Sequence, residues 1–174
     1  DEINAIRKIC YENGIDVLIE RSRSGNGAHA WILFKEFVPA SLAREFGLLL
    51  MEKGAQSINL KSFRYYDRMF PTQDHSEGLG NLVALPLQGQ ALRQGNSVFV
   101  DENWNPYYDQ WKLLRTVHQL SKNEIEEYIY KWKEELSIPQ GLLTINPGKR
   151  IKPWKKDENF HNEDVIEKLS IVLI

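Results

Sequence analysis

Residues 15–34 read IDVLIERSRSGNGAHAWILF, two apolar segments separated by a polar segment that contains two glycines. Residues 15–20 and 29–34 are rich in β-branched, aromatic and other apolar residues, a composition typical of strands. Gly25 and Gly27 lie between these segments, where a chain reversal favours residues that tolerate positive φ. The stretch therefore predicts a strand–turn–strand unit.

The predicted turn has the composition of an anion-binding loop. Its successive backbone amides, with the Ser22 and Ser24 hydroxyls, are donors for an oxyanion. Arg21 and Arg23 lie one strand period apart and supply positive charge, and His29 follows as a further donor or as a metal ligand. The group suits a triphosphate or another polyanion. It is equally typical of a glycine-rich hairpin with solvated arginines and a packed histidine.

The periodicity of apolar residues predicts helices interleaved with short strands. A first helix ends at Gly14, a second runs from Pro39 to about Gly54, and two more span residues 108–119 and 122–136. The last one begins SKNE, a capping box with Ser121 as N-cap and Glu124 at N3. Strands are predicted at residues 81–87 and 97–101, whereas residues 58–80 fit no element. The pattern indicates an α+β fold.

A second group of candidate site residues lies in YYDRMFPTQD, residues 65–74. Asp67 and Asp74 carry the hard oxygen atoms that Mg²⁺ or Mn²⁺ requires, so both are candidate metal ligands. Taken alone, each aspartate is more typical of a turn or a helix cap.

Two further segments are weaker candidates for ligand binding. Gln88 belongs to LPLQGQALRQGNSVFVD, where it lines either a groove or an ordinary hairpin loop. The segment GKRIKPWKK places cations around an aromatic ring, which suits single-stranded nucleic acid as well as a solvated linker. Its candidate nucleic-acid-binding residues are Lys149, Arg150, Lys152 and Trp154.

Composition excludes several classes of protein. The formal net charge of the 174 residues is −2, so any nucleic-acid contact must come from a local patch. A single cysteine excludes an internal disulfide and a thiolate zinc cluster. No apolar run reaches membrane-spanning length and no signal peptide opens the chain, so we expect a cytoplasmic protein without a membrane partner.

Both ends of the sequence resemble cuts within a longer protein. The chain starts without methionine and ends inside the apolar run LSIVLI, whereas natural termini are usually polar. Residues 138–162 are rich in Pro, Gly, Lys and Asn, which predicts a basic linker.

The segments ERSRSGNGAHAWILF, YDRMFPTQD, GLGNLVALPLQG and GNSVFVD…YYDQW together resemble the archaeo-eukaryotic primase domain of TOTE conflict-system proteins. In that family a primase-like domain is joined to a helicase. The resemblance implies an RRM-like antiparallel sheet core with flanking helices over residues 1–137. It also implies that residues 138–174 form the linker and the start of the helicase region in the same chain.

The resemblance assigns roles to individual residues. The family's serine-and-histidine motif matches SGNGAH, so Ser24 and His29 are implied to contact the phosphates of the incoming nucleotide, along with Gly25, Asn26 and Gly27. Arg23 and Gln88 are implied to lie near the same phosphates. The motif of a hydrophobic residue followed by aspartate matches Tyr66–Asp67, with Asp74 as the reserve ligand for Mg²⁺ or Mn²⁺.

The sequence departs from the family at its first motif, a pair of acidic residues on a strand, for which we find no match. The resemblance implies a DNA primase/polymerase-type nucleotidyltransferase that uses nucleoside triphosphates and a DNA or RNA template, with His29 and Asp67 as catalytic residues. Two-metal chemistry depends on the two carboxylates of the first motif. We therefore expect the given chain to bind nucleotide or template but not to polymerise. The alternative is a non-catalytic module that binds a nucleic-acid end or a 5′-phosphate.

Overall fold

The computed structural model describes residues 2–58, 63–75, 82–136 and 168–174. Within them the helices are α1 (Glu2–Glu12), α2 (Ala40–Ser57), α3 (Gly89–Leu92), α4 (Gln110–Thr116) and α5 (Lys122–Leu136). The strands are β1 (Leu18–Arg21), β2 (Gly27–Ile32), β3 (Tyr66–Phe70), β4 (Val98–Phe99) and β5 (Lys168–Leu173). No helix of the described part is long and apolar enough to cross a bilayer.

The strands form one mixed sheet in the order β3-β5-β2-β1-β4. β1 pairs antiparallel with β2 and β4, whereas β5 pairs parallel with both β2 and β3. The predicted α+β class, with a sheet and flanking helices, is confirmed. The expected antiparallel sheet is corrected to a mixed one, because β5, which lies between β3 and β2, runs parallel to both.

The register brings four polar residues into one row across the sheet. His29 on β2 lies opposite Glu20 on β1 and Ser170 on β5, and Ser170 lies opposite Arg68 on β3. Residues opposite one another in neighbouring strands project from the same face. We call these residues, Arg68, Ser170, His29 and Glu20, the His29 row.

The two faces of the sheet are covered differently. Residues Ile19, Ala30 and Ile171 belong to a large core with side chains of α1, α2 and α5, so we call this side the helical face. On the second face, Leu18, Trp31, Phe99 and Val172 form a smaller cluster, which is covered by Leu113 and Leu114 of α4 and by Val117, the residue after it. The His29 row projects from this second face, beside the α4 cluster.

Helix α5 confirms its prediction in both length and capping. It begins at Lys122 and ends at Leu136, and the backbone amides and side chains of Ser121 and Glu124 bond reciprocally. Its buried stripe includes Ile125, Ile129 and Trp132. The predicted helices before Gly14, after Pro39 and within residues 108–119 correspond to α1, α2 and the shorter α4.

The strands were predicted less well than the helices. Of the strand expected at 81–87, residues 82–87 form no strand, and the apolar Leu82 and Leu85 are 84 % and 65 % exposed. The strand expected at 97–101 is reduced to Val98–Phe99. The region for which no element was predicted contains β3.

The end of the chain belongs to the sheet. The sequence interpretation assigned residues 138–174 to a linker and a following helicase region, but β5 lies between β2 and β3. Ile171 and Val172 are fully buried in the two clusters that cover the sheet. The linker assignment itself falls on residues 138–162, outside the described residues.

We expect Glu124→Gln to reduce the pH dependence of stability in acid. Hydrogen bonds from the side chain and backbone of Ser121, and from His118, lower the pKa of Glu124 from 4.5 to about 2. A depressed carboxylate pKa stabilises the folded state above pH 4.5, and that contribution is lost as the pH falls towards 2.

Because the Glu124 side chain is 38 % exposed, the loss at neutral pH should be less than about 1 kcal/mol. Urea unfolding from pH 7 to pH 2.5 should show the two proteins converging at the acid end. A difference that stays constant with pH would contradict the capping role of the carboxylate.

Candidate functional site

The turn between β1 and β2 is closed by its own hydrogen bonds. The Ser22 amide donates to the Gly27 carbonyl at 2.8 Å, and the Gly25 amide donates to the Ser22 carbonyl at 3.0 Å. The Ser22 hydroxyl accepts from the Gly27 amide at 3.0 Å. Gly25 adopts φ +83° and packs against the Asn96 side chain, so a larger residue there would be strained.

These hydrogen bonds limit which groups of the turn can bind an anion. The amides of Gly25, Asn26 and Gly27 already donate to acceptors within the turn. The Ser24 hydroxyl, which contacts the Ser22 hydroxyl at 3.2 Å, belongs to an exposed residue. A phosphate at this turn would therefore rely first on side chains, and the predicted binding by its backbone amides stays a prediction.

Arg23 and Gln88 lie together beside the turn. The exposed Arg23 guanidinium donates to the Gln88 side-chain oxygen at 3.4 Å, and the backbone amide of Gln88 donates to the Ser97 hydroxyl at 3.3 Å. Arg21 has a different role, because its guanidinium donates to the carbonyls of Gly95 and Trp104 and so ties two loops to the sheet. The exposed positive charge at the turn is that of Arg23.

His29 is held by a buried carboxylate that the sequence interpretation missed. Its Nδ1 lies 2.9 Å from Oε2 of Glu20, and the imidazole is 24 % exposed whereas the carboxylate side chain is 2 % exposed. Glu20 also accepts from Trp31 Nε1 at 2.8 Å and from the Ser97 hydroxyl at 3.1 Å. A charged residue within an apolar strand, on the same face as His29, was the available signal.

Hydrogen bonds through Glu20 connect His29 to Gln88 and Arg23. Glu20 contacts His29 with one oxygen and Ser97 with the other, and Ser97 in turn accepts from the Gln88 amide. Gln88 accepts from Arg23. Three of the sequence-predicted nucleotide-binding residues, His29, Gln88 and Arg23, therefore belong to one connected hydrogen-bond network.

Asp67 lies next to Arg68 on β3, at the end of the His29 row that is farthest from Glu20. A β-bulge between Tyr66 and Arg68 leaves Asp67 without a register partner, and its Oδ2 accepts from Arg68 Nε at 3.0 Å. Arg68 is two strands from His29, about 10 Å at ordinary strand spacing. Burial raises the pKa of Tyr66, an effect that the Arg44 guanidinium opposes and the Asp67 carboxylate supports, so the phenol stays neutral at physiological pH.

Asp74 lies in a different environment from Asp67. Its carboxylate forms an ion pair with Arg44 Nε at 3.3 Å, and Arg44 belongs to α2, which packs on the helical face. Asp74 lines an apolar groove of about 520 Å³ together with Phe34, Phe37, Phe70 and Ile174. The groove reaches the second face of the sheet at Phe70, which lies two residues beyond Arg68 of the His29 row on β3.

The donor set for a divalent cation is incomplete in the part of the chain that the structure describes. No group of three or more His, Cys, Asp or Glu side chains there could hold a metal ion. The Asp67 side chain, which is 30 % exposed, fits the chemistry of one hard oxygen ligand. The predicted nucleic-acid-binding residues Lys149, Arg150, Lys152 and Trp154 lie outside the described residues.

A sequence model of the archaeo-eukaryotic primase domain of the TOTE conflict system matches residues 1–128. The chain belongs to this family. No curated protein and no solved structure matches it. In this archaeo-eukaryotic primase domain the match includes the turn, Gln88, and Glu20, His29 and Arg68 of the His29 row, whereas Ser170 and the rest of β5 lie beyond it.

Proposed function

We propose that the domain is a primase–polymerase-type nucleotidyltransferase, which binds a nucleoside triphosphate with Mg²⁺ or Mn²⁺ for template-directed nucleic-acid synthesis. In this proposal the given residues, in which the acidic pair of the first motif has no match, bind the nucleotide but do not polymerise by themselves. Family membership supports the reaction class. The observation that carries the assignment to this site is the connected network of His29, Gln88 and Arg23, with Asp67 on the same sheet.

In this proposal the side chains around the turn hold the polyphosphate. The Arg23 guanidinium, whose one hydrogen bond to the described residues is to the neutral side chain of Gln88, supplies a charge-assisted donor. Ser24 contributes its exposed hydroxyl, and the partly buried His29 ring contacts a phosphate oxygen. Donors of this kind hold the β- and γ-phosphates, which positions the α-phosphate for attack, and they stabilise the charge that develops on the leaving pyrophosphate.

Asp67 would supply an oxygen ligand to the divalent cation, and Asp74 would not. Asp67 lies beside a residue of the His29 row, whereas Asp74 is bound to Arg44 of α2. A bound divalent cation would neutralise phosphate charge and favour loss of pyrophosphate. In the synthetic reaction a 3′-hydroxyl attacks the α-phosphate in line, and the side chains around the turn retain the β- and γ-phosphates.

Titration of the 174-residue chain with a fluorescent nucleoside triphosphate, with Mg²⁺ and with EDTA, tests this proposal. We expect His29→Ala to weaken binding about tenfold or more, because a hydrogen bond to a charged group is lost. We expect Asp67→Asn to abolish the strengthening by Mg²⁺, and Asp74→Asn, the matched control, to retain it.

Two outcomes would overturn the proposal. Unchanged affinity in His29→Ala would remove the phosphate role of that residue, and loss of the Mg²⁺ effect in Asp74→Asn alone would reverse the ligand assignment. A preference of the wild-type chain for a 5′-phosphorylated oligonucleotide over the free triphosphate would favour the non-catalytic end-binding module instead.

A further inference from the structure

We propose that Glu20 is a positioning residue that holds the His29 ring by Nδ1, so that Nε2 binds the nucleotide phosphate as the imidazolium. This inference rests on the proposed function and adds a specific residue and protonation state to it. It starts from three contacts to one carboxylate that is almost completely buried.

The contacts indicate that Glu20 is ionised. Trp31 Nε1 can only donate, and it lies 2.8 Å from the same oxygen that His29 contacts. The Ser97 hydroxyl lies 3.1 Å from the other oxygen. A buried carboxylate is stable in its charged form when donors satisfy it, and here both oxygens have donors.

The ionised carboxylate decides which nitrogen of His29 carries a proton. A carboxylate only accepts, so Nδ1 must donate to Glu20 and Nε2 is the unprotonated nitrogen of the neutral ring. Nε2 makes no hydrogen bond to the described residues. A lone pair on Nε2 cannot donate to a phosphate oxygen, so phosphate binding there requires a second proton on the ring.

The charges around His29 favour that second proton when phosphate is present. Glu20 faces the ring from β1, while β5 contributes the neutral Ser170 to the same row. From β3, Arg68 opposes the protonated ring, but its guanidinium is paired with Asp67. The side chains that α4 and its C-cap residue pack on this face, Leu113, Leu114 and Val117, are neutral. The buried carboxylate of Glu20 is thus the negative charge that lies closest to the ring and stabilises its imidazolium form.

The imidazole ¹⁵N shifts of the 174-residue chain test the tautomer directly. We expect neutral His29 to carry its proton on Nδ1. His118 is an internal control, because its Nε2, not its Nδ1, contacts a glutamate, at 3.0 Å from Glu124. We expect the opposite tautomer at His118. A His29 ring that is protonated mainly on Nε2 would overturn the proposal, even if no variant could be purified.

Calorimetric titration in two buffers of different ionisation enthalpy tests the protonation step. In wild type we expect binding of the triphosphate to take up as much as about one proton at a pH where the ring is neutral. In Glu20→Gln we expect affinity to fall about tenfold, as for loss of a charge-assisted hydrogen bond, and the proton uptake to disappear. Glu124→Gln, which alters the exposed histidine–glutamate pair instead, should change neither.

The outcomes separate this inference from the proposed function. If wild type binds no triphosphate, the proposed function fails, whatever tautomer His29 adopts. If wild type binds the triphosphate and Glu20→Gln binds it equally well with the same proton uptake, the positioning role of Glu20 fails alone. If Glu20→Gln does not fold, the wild-type tautomer and its proton uptake decide.

Discussion

A chain that ends at residue 136 is expected to lose cooperative unfolding. Without β5, the described sheet loses the strand that pairs with both β2 and β3. The buried side chains of Ile171, Val172 and Leu173 are also removed from the clusters on the two faces. Burial of each contributes about 1.5–3 kcal/mol, which together approaches the whole stability of a typical domain.

Point variants in the full-length chain separate this effect from the loss of other residues. Ile171→Asp would place a carboxylate at a fully buried position, and we expect it to destabilise by more than about 4 kcal/mol or to prevent folding. Ile174→Asp is the matched control, because Ile174 is 50 % exposed, and its effect should be small. Circular dichroism during urea unfolding measures both. A chain ending at residue 136 that unfolds with the wild-type midpoint would show that β5 is dispensable.

The parts of the fold that could be predicted depend on local sequence. Helix α5 was predicted over the residues it occupies, because its apolar stripe and its Ser121–Glu124 cap both lie within or beside the helix. Strand β5 could not be placed from its own residues. An apolar run indicates burial, but which strands it joins depends on residues far away in the chain.

A strand was predicted at residues 81–87, but residues 82–87 form none. Here too, local composition did not determine how the segment packs. Its composition is that of a strand, yet only Val83 packs against the cluster on the second face, and its neighbours Leu82 and Leu85 are exposed. Pro86 lacks an amide donor for a strand ladder. Apolar composition alone did not distinguish a strand from a chain segment lying over the sheet.

The candidate site was partly predictable for a related reason. The turn residues, His29 and Asp67 were proposed from short motifs, and the structure brings Arg23 and Gln88 into contact. Glu20 was missed because its role depends on Ser97, which is distant in sequence, and on pairing between β1 and β2. Its position in an apolar strand was visible, but its partners were not.

The second large expected effect concerns the aromatic core under the helical face. Trp132 of α5 is fully buried and stacks on Phe46 at a centroid distance of 5.6 Å and on Tyr128 at 5.2 Å. Trp132→Ala would leave a cavity in this cluster, and we expect it to destabilise by about 3–5 kcal/mol. Triphosphate affinity measured below the unfolding temperature should not change, because the cluster lies on the opposite side of the sheet from His29.

The indole nitrogen makes a second variant informative. Within the described residues, Trp132 Nε1 is buried and has no hydrogen-bond partner. Trp132→Phe removes this unsatisfied donor while keeping an aromatic ring, so its loss of stability should be under about 1.5 kcal/mol. Tyr130→Ala on the same helix, at a position 68 % exposed, should change stability by less than about 0.5 kcal/mol. If Trp132→Phe is as unstable as Trp132→Ala, the indole N–H must have a partner, and packing alone does not explain why tryptophan occupies this position.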